Sequence, residues 1–292
     1  MNLGSSLSLL LKGFVIGSAN VVPGVSGGTM ALILGIYEKL IDSLHQLSER
    51  SLYQKLFRGK VSQALTQVHA PFLALVIVGA LIALISLARV VEQLLSSYPT
   101  FVYSFFFGLI LASIWFVLTM IDVRKPRVIL GFLLGSVFAF LLVGLSPTTA
   151  PTAIWFIFLS GALAFCTLIL PGISGSFVLL LLGNYSFMLN AVNERDLFTL
   201  IVFGLGGLVG LLGFAKLLNW LFKHYYNMSI AILAGFMLGS LRRIWPWKRD
   251  ADELSPNVLP DLSQGSELLT ALVLALIGFL LVLYLSRFDK RR

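Results

Sequence analysis

Charge is what this chain has least of. Only 12% of its 292 residues are Asp, Glu, Lys or Arg, while 58% are hydrophobic and the mean hydropathy is +0.95. Soluble domains are about a quarter charged, so the scarcity excludes an ordinary water-soluble domain and marks an integral membrane protein. Cysteine is nearly absent too. Cys166 stands alone, which excludes an internal disulfide and a cysteine-rich metal site; it reads as a small buried hydrophobe. His45, His69 and His224 have no ligand-like spacing, so metal chemistry has no support. No nucleophile–base pair or phosphate-cleaving constellation can be assembled, so the chain does not read as an enzyme and no cofactor is implied. The net charge is +8, but the basic residues cluster in short connecting segments. That pattern belongs to membrane topology rather than to nucleic-acid binding. The N-terminal apolar segment has no small-residue cleavage site leading into a soluble domain and reads as part of the mature chain.

What is there is a series of apolar runs. A spanning helix needs about 20 apolar residues, and residues 71–97, 101–121, 128–146, 198–222, 229–245 and 268–286 are candidates. Two other regions, 3–41 and 152–192, each hold two shorter apolar stretches separated by a Pro-Gly motif. Their length predicts half-helices that enter the bilayer and return.

The chain also repeats itself. Residues 23–37 read PGVSGGTMALILGIY and residues 171–185 read PGISGSFVLLLLGNY, an offset of 148. A second offset, 127, aligns Gly79 with Gly206, Arg89 with Lys216, Tyr98 with Tyr225 and Gly108 with Gly235. The change of offset is absorbed by a basic insertion within 45–70, whose stretch 48–67 predicts an amphipathic helix at the membrane surface. The predicted fold is therefore all-α and integral to the membrane, a single domain over 1–292. Repeat 1 covers 1–146 and repeat 2 covers 147–292, the latter with an outer loop at 246–267. Each repeat is a re-entrant, broken helical hairpin followed by three transmembrane helices. Three is odd, so the second copy enters the membrane upside down, as in the inverted repeats of many secondary transporters.

Loop charge orients this arrangement. With the N-terminus in the cytoplasm, that side gains Lys39, Arg50, Lys55, Arg58, Lys60, Arg124, Lys125, Arg127, Lys223 and the tail Arg287, Lys290, Arg291 and Arg292. The outer side keeps Arg195, Arg242, Arg243, Lys248 and Arg249, beside the acids Asp250, Asp252 and Glu253. The excess of Lys and Arg predicts both termini inside. Trp115, Trp155, Trp220, Trp245 and Trp247 fall mostly near span ends, where aromatic belts form.

The breaks are the candidate functional device. Pro23–Gly24 and Pro171–Gly172 interrupt their helices, and unpaired backbone groups cannot face lipid. The half-helices that follow begin with unsatisfied N–H groups and the positive end of a dipole. Gly27, Gly28 and Gly175 let a ligand approach the backbone closely, and the hydroxyls of Ser26, Thr29, Ser174 and Ser176 can bond it. Together these predict an anion site near the midplane, suited to phosphate or carboxylate. Close packing of helices through small residues is the competing explanation of the same residues. Arg89 and Lys216 are pseudo-symmetric cations within spans, Arg89 toward the outer face and Lys216 toward the inner. They either attract the anion from each leaflet or snorkel to headgroups, and an Arg89–Glu92 pair is also open. Lys12 is a similar but weaker candidate. Glu38 is a candidate for proton coupling, although Ser186 stands at its repeat-2 position, so an interfacial charge explains it as well.

The stretch ANVVPGVSGGTMALILGIYEKLI, followed by LILPGISGSFVLLLLGNY, resembles the bacterial polyprenyl-phosphate transporter family (PopT), and the resemblance covers essentially the whole chain. It implies return of undecaprenyl phosphate, the lipid carrier of cell-wall precursors, from the outer to the inner leaflet of the bacterial plasma membrane. It makes Ser26, Gly27, Gly28, Thr29, Ser174, Gly175 and Ser176 candidate headgroup contacts. Repeat 2 carries Ser176 and Phe177 where repeat 1 has Gly28 and Thr29, so the second half of the site is expected to be less polar. The expected partners are the polyprenyl-phosphate lipid, membrane lipids and a coupling proton or other ion. Two alternatives stay open: a transporter of a small soluble anion through the same site, and a non-transporting membrane scaffold or enzyme subunit.

Overall fold

The computed structural model describes residues 3–147, 151, 153–249, 255–262 and 265–286; the acids Asp250, Asp252 and Glu253 and the basic tail from Arg287 lie outside the described residues. Among those described, helix accounts for every element apart from connecting segments and one isolated antiparallel bridge, Lys248 with Asn257. Over residues 1–146 the helices are α1 (Leu3–Val21), α2 (Gly27–Ile33), α3 (Tyr37–Leu47), α4 (Arg50–Phe57), α5 (Val61–Gln67), α6 (Ala70–Ser97), α7 (Pro99–Leu118) and α8 (Pro126–Leu142). Then follow α9 (Ile154–Ile169), α10 (Gly175–Leu181), α11 (Tyr185–Asn193), α12 (Leu197–Ser240) and α13 (Gly265–Ser286). The helices α6, α7 and α8 each carry Pro in their first turn, where a missing N–H costs nothing.

Four helices, α6, α7, α12 and α13, are long and apolar enough to cross a membrane, and α10 with α11 passes the same test as a pair bent by 111°. The sequence predicts two spans at 198–222 and 229–245, and α12 is two helices joined across a kink within its 44 residues. One residue, Tyr225, leaves helical geometry inside it (φ −137°, ψ 45°). Its repeat-1 counterpart Tyr98 has the same conformation (φ −140°, ψ 52°) and separates α6 from α7. The predicted surface helix over 48–67 is two helices instead. Gly59, at φ +69°, ends α4 with the bonds Lys60 N–H to Lys55 O and Gly59 N–H to Leu56 O, and the chain turns back into α5.

Helix pairing follows the small residues. The helix α1 packs on α6 and α9 packs on α12; α7 packs on α13 and α8 packs on α12. The glycines paired by the offset of 127 sit at corresponding crossings. A side chain on Gly79 would run into the α1 backbone at Leu10, and one on Gly206 into the α9 backbone at Phe158. Likewise Gly108 faces Ala275 of α13, and Gly235 faces Phe132 of α8. Without a hydrophobic drive between helices in lipid, such backbone-to-backbone contact is what holds them. The outward faces are apolar, with Ile85, Leu134, Leu205 and Leu276 among the exposed side chains. Surface of that extent on a soluble protein would be an aggregation hazard; against acyl chains it is solvated.

Candidate functional site

Both Pro-Gly motifs are built the same way. Val21 ends α1 and Ile169 ends α9, and the following glycines, Gly24 (φ +81°) and Gly172 (φ +87°), take a left-handed conformation. The serines two residues on, Ser26 and Ser174, have extended backbones and side chains that cap the half-helices α2 and α10. The far ends match as well. Gly35 (φ +66°) and Gly183 (φ +74°) stop the half-helices with Ile36 N–H to Ala31 O and Asn184 N–H to Leu179 O. A glycine is required there because a side chain at positive φ is strained.

The two breaks meet, and they meet asymmetrically. The end of α9 leaves carbonyls without helical partners, and repeat 1 supplies them. Ser26 Oγ donates to Leu170 O at 2.8 Å, and Tyr37 Oη donates to Ile169 O at 2.6 Å. Gly28 allows the approach: a Cβ there would stand 3.0 Å from Ile169 O. All of α2 is buried, and its first-turn donors are occupied. Gly27 N–H donates to Asn20 Oδ1 (2.7 Å), Gly28 N–H to Ser26 Oγ (3.2 Å) and Thr29 N–H to Ser26 O (3.0 Å). Thr29 Oγ1 is buried with no hydrogen-bond partner among the described residues.

The second break is the open one. Ser176 is exposed and its hydroxyl lies 2.7 Å from that of Ser174, which also accepts from Phe177 N–H at 3.3 Å. The N–H groups of Gly175 and Ser176 have no hydrogen-bond partner among the described residues. Composition made the second half the less polar one; accessibility reverses the order, because the polar groups of repeat 1 are spent on protein.

The structure brings Ser26 and Gly28 against the end of α9 at Ile169 and Leu170, but it does not bring the predicted cations there. Arg89 on α6 and Lys216 on α12 sit on exposed faces, and neither bonds or stacks on a break residue among the described residues; Arg89 makes no ion pair with Glu92 there either. The cation at the junction is Arg243, 7% exposed. Its guanidinium lies 4.8 Å from the Phe177 ring centre, and its side-chain stem flanks Gly24. It therefore touches both breaks. Its signal in the sequence was an Arg-Arg pair closing the apolar run 229–245; it has no basic counterpart at either offset, so pairing the repeats passes over it. Lys12 Nζ donates to Leu34 O at 2.7 Å and closes the end of α2. Glu38 accepts from Tyr226 Oη at 3.0 Å, next to the kink in α12. The same face of α3 holds Asp42, which accepts from Asn219 Nδ2 at 3.2 Å, and Tyr37, edge-on to Phe222.

A family model described as VCA0040-like, undecaprenyl phosphate translocase-like, matches residues 16–258. The chain is 38% identical to a protein of Vibrio cholerae serotype O1 named polyprenyl-phosphate transporter, over 98% of this chain and 97% of that one. It is 30% identical to a Staphylococcus aureus protein of the same name, over 95% of each. No solved structure matches. Paired breaks, a buried arginine beside Gly24 and Phe177, and a fold of apolar helices thus occur in a chain whose relatives are named as transporters rather than enzymes. The chain belongs to the VCA0040-like family of undecaprenyl phosphate translocase-like proteins.

Proposed function

We propose that the protein carries undecaprenyl phosphate, or a closely related polyprenyl phosphate, from the outer to the inner leaflet of the bacterial plasma membrane, by alternating exposure of a phosphate site at the junction of the two breaks. The observation that carries this reading is the contact of the breaks themselves: Ser26 and Tyr37 of one hold the open carbonyls of the other. The open start of α10, with the buried Arg243 beside it over Phe177, suits a phosphate dianion. The names of the Vibrio and Staphylococcus relatives supply the lipid.

The transport cycle needs two states, and the pairing of helices supports a way to reach them. The pairs α1–α6 and α9–α12 correspond, as do α7–α13 and α12–α8. In this reading the halves are inverted repeats with re-entrant hairpins, both termini are cytoplasmic, and the halves exchange roles as one break closes and the other opens. In the state described, Ser174, Gly175 and Ser176 receive the headgroup. When the tips part, Ser26, Gly27, Gly28 and Thr29 take over. Arg89 and Lys216, on outward faces, draw headgroups laterally from the two leaflets. Glu38, bonded to Tyr226, couples the movement of α3 against α12 to a proton.

The test is leaflet exchange in liposomes, using a fluorescent polyprenyl phosphate whose outer-leaflet fraction is destroyed by a membrane-impermeant quencher. The expected result is exchange well above that of empty liposomes, slowed by Ser174→Ala with Ser176→Ala. Exchange no faster than in empty liposomes, with or without a pH gradient, refutes the reading. Uptake of inorganic phosphate in its place supports the soluble-anion alternative.

A further inference from the structure

The junction is not the only basic site. A cavity of about 420 Å³ lies between the C-terminal end of α8 and the chain that follows α12, lined by Arg242, Arg243 and Lys248 with Gly144, Ser146 and Asn257. Each cation is steered by an aromatic ring. Arg242 lies 4.5 Å from the centre of Phe140 and donates to the Phe140 carbonyl at 3.2 Å. Arg243 lies over Phe177, and Lys248 lies 5.0 Å from the centre of Tyr103. Stacking uses the face of a guanidinium, whereas phosphate recognition uses its N–H edge, so one does not preclude the other.

Across the segment 243–248 lies a second cavity, of about 380 Å³, between α7 and α13. Its lining is apolar: Phe107, Gly108, Leu111, Trp245, Trp247 and Phe279. The two cavities share one wall. Residues 242, 243 and 248 face the basic side and residues 245–247 face the apolar side. Trp245 is fixed by Nε1–H donating to Val258 O at 2.9 Å and by edge contacts to Phe107 and Trp247. The ring beneath Lys248, Tyr103, adjoins Ser104 at the edge of the apolar cavity.

We propose that these cavities form one loading site for an amphiphilic phosphate monoester, with the phosphate held by Arg242, Arg243 and Lys248 and the first isoprenoid units of its tail laid in the groove between α7 and α13. The inference rests on the lipid-phosphate reading of the protein and gives it a place of capture that adjoins the junction and shares Arg243 with it. A phosphate monoester carries about −1.5 to −2 charges at neutral pH, which suits three converging cations. A soluble anion has no use for the groove, and a neutral lipid has none for the cations. Arg243 belongs to both places. Its ring partner Phe177 follows Ser176 directly, so a headgroup held by Arg243 stands beside the exposed hydroxyls of α10.

Trp245 and Trp247 make the groove its own reporter. The experiment uses the full chain in lipid nanodiscs with Trp115→Phe, Trp155→Phe and Trp220→Phe, three outward-facing tryptophans. Geranylgeranyl phosphate, geranylgeraniol and inorganic phosphate are titrated while tryptophan emission is followed. The expected result is a saturable change with geranylgeranyl phosphate at a half-saturation at least about tenfold below that of the alcohol, about 1.4 kcal/mol, and none with inorganic phosphate. Arg243→Gln removes the advantage of the phosphate, Arg243→Lys retains part of it, and Leu111→Trp, which fills the groove, weakens phosphate and alcohol alike. If Arg243→Gln does not fold, Lys248→Gln decides, with an expected weakening of about threefold or more for the phosphate alone. Equal binding of phosphate and alcohol overturns the proposal, and so does an unchanged half-saturation in the folded cation variants. Liposome exchange separates the two levels. Wild-type exchange that persists unslowed in Lys248→Gln, which lies outside the junction, removes the loading site and leaves the transport reading standing. Phosphate-dependent binding with no exchange does the reverse.

Discussion

Replacing Tyr37 by Phe removes one oxygen atom from the contact between the breaks and little else. The ring of Tyr37 is buried, 1% exposed, and packs edge-on against Phe222 at 5.8 Å; Phe keeps that packing. What is lost is the 2.6 Å bond to Ile169 O. A net hydrogen bond contributes about 0.5–1.5 kcal/mol, and orphaning a buried acceptor raises the cost to about 1–3 kcal/mol. Ser26→Ala removes the donor to the next carbonyl, Leu170 O, and also the cap of α2, for about 0.5–2 kcal/mol through the cap alone. The two carbonyls are adjacent, so the losses couple: once one latch is gone the tip loosens, and the second costs less. The double variant should fall short of the sum by about 0.5 kcal/mol or more. If the contact exists in only one state of the cycle, losing about 1–3 kcal/mol there shifts the balance of states by about 5- to 150-fold. Unfolding in mixed micelles titrated with a denaturing detergent, followed by circular dichroism, gives the energies. Tyr37→Phe within about 0.5 kcal/mol of wild type, the range of an inconsequential surface change, together with strict additivity, would refute the latch.

Three further expectations follow from single sites. Thr29 Oγ1 is buried and unpartnered, so Thr29→Val should leave stability unchanged or raise it by about 1 kcal/mol while slowing lipid exchange; slower unfolding with undiminished exchange would remove Thr29 from the headgroup site. Leu at Gly108 or Gly235 should destabilise the fold by about 1–3 kcal/mol or more, since even a Cβ runs into the facing backbone. Leu at Gly204 or Gly213, which have open space, should be tolerated, and equal behaviour of the two sets in a thermal unfolding assay contradicts the packing described. Asp196, outside the spans, caps α12 through Thr199: its carboxylate takes Thr199 Oγ1–H at 2.6 Å and Thr199 N–H at 3.2 Å. The Thr199 hydroxyl, then its amide, hold the carboxyl below the usual carboxylate range. A depressed folded value stabilises above the unfolded pKa and is lost as pH falls through the folded one. The stability gap between wild type and Asp196→Ala should therefore be constant at neutral pH and close in acid.

The repeat was legible because it is written in backbone requirements. Gly24, Gly172, Gly35 and Gly183 are at positive φ at an offset of 148, a conformation that favours glycine over residues with a side chain. Tyr98 and Tyr225 share a non-helical conformation at an offset of 127. The direction of a side chain around its helix was harder to read. Each residue turns about 100° from the last, so which face meets a neighbour depends on helices distant in sequence. Symmetry singles out Arg89 and Lys216, yet both face outward; Arg243 lacks a symmetric partner and stands at the junction. The occupancy of donors was hidden too, because Gly27 finds Asn20 only once α1 and α2 have folded against each other.

The most direct test of the account gives one preparation of proteoliposomes three probes: a polyprenyl phosphate, the matching polyprenol and inorganic phosphate. The account predicts that the protein accelerates leaflet exchange of the first alone. It also predicts that oxidation of a cysteine pair placed across the junction, at Ser26 and Leu170 in a Cys166→Ala background, stops that exchange and reduction restores it. Equal acceleration of the polyprenol, or full exchange of the polyprenyl phosphate with the junction completely cross-linked, would contradict it.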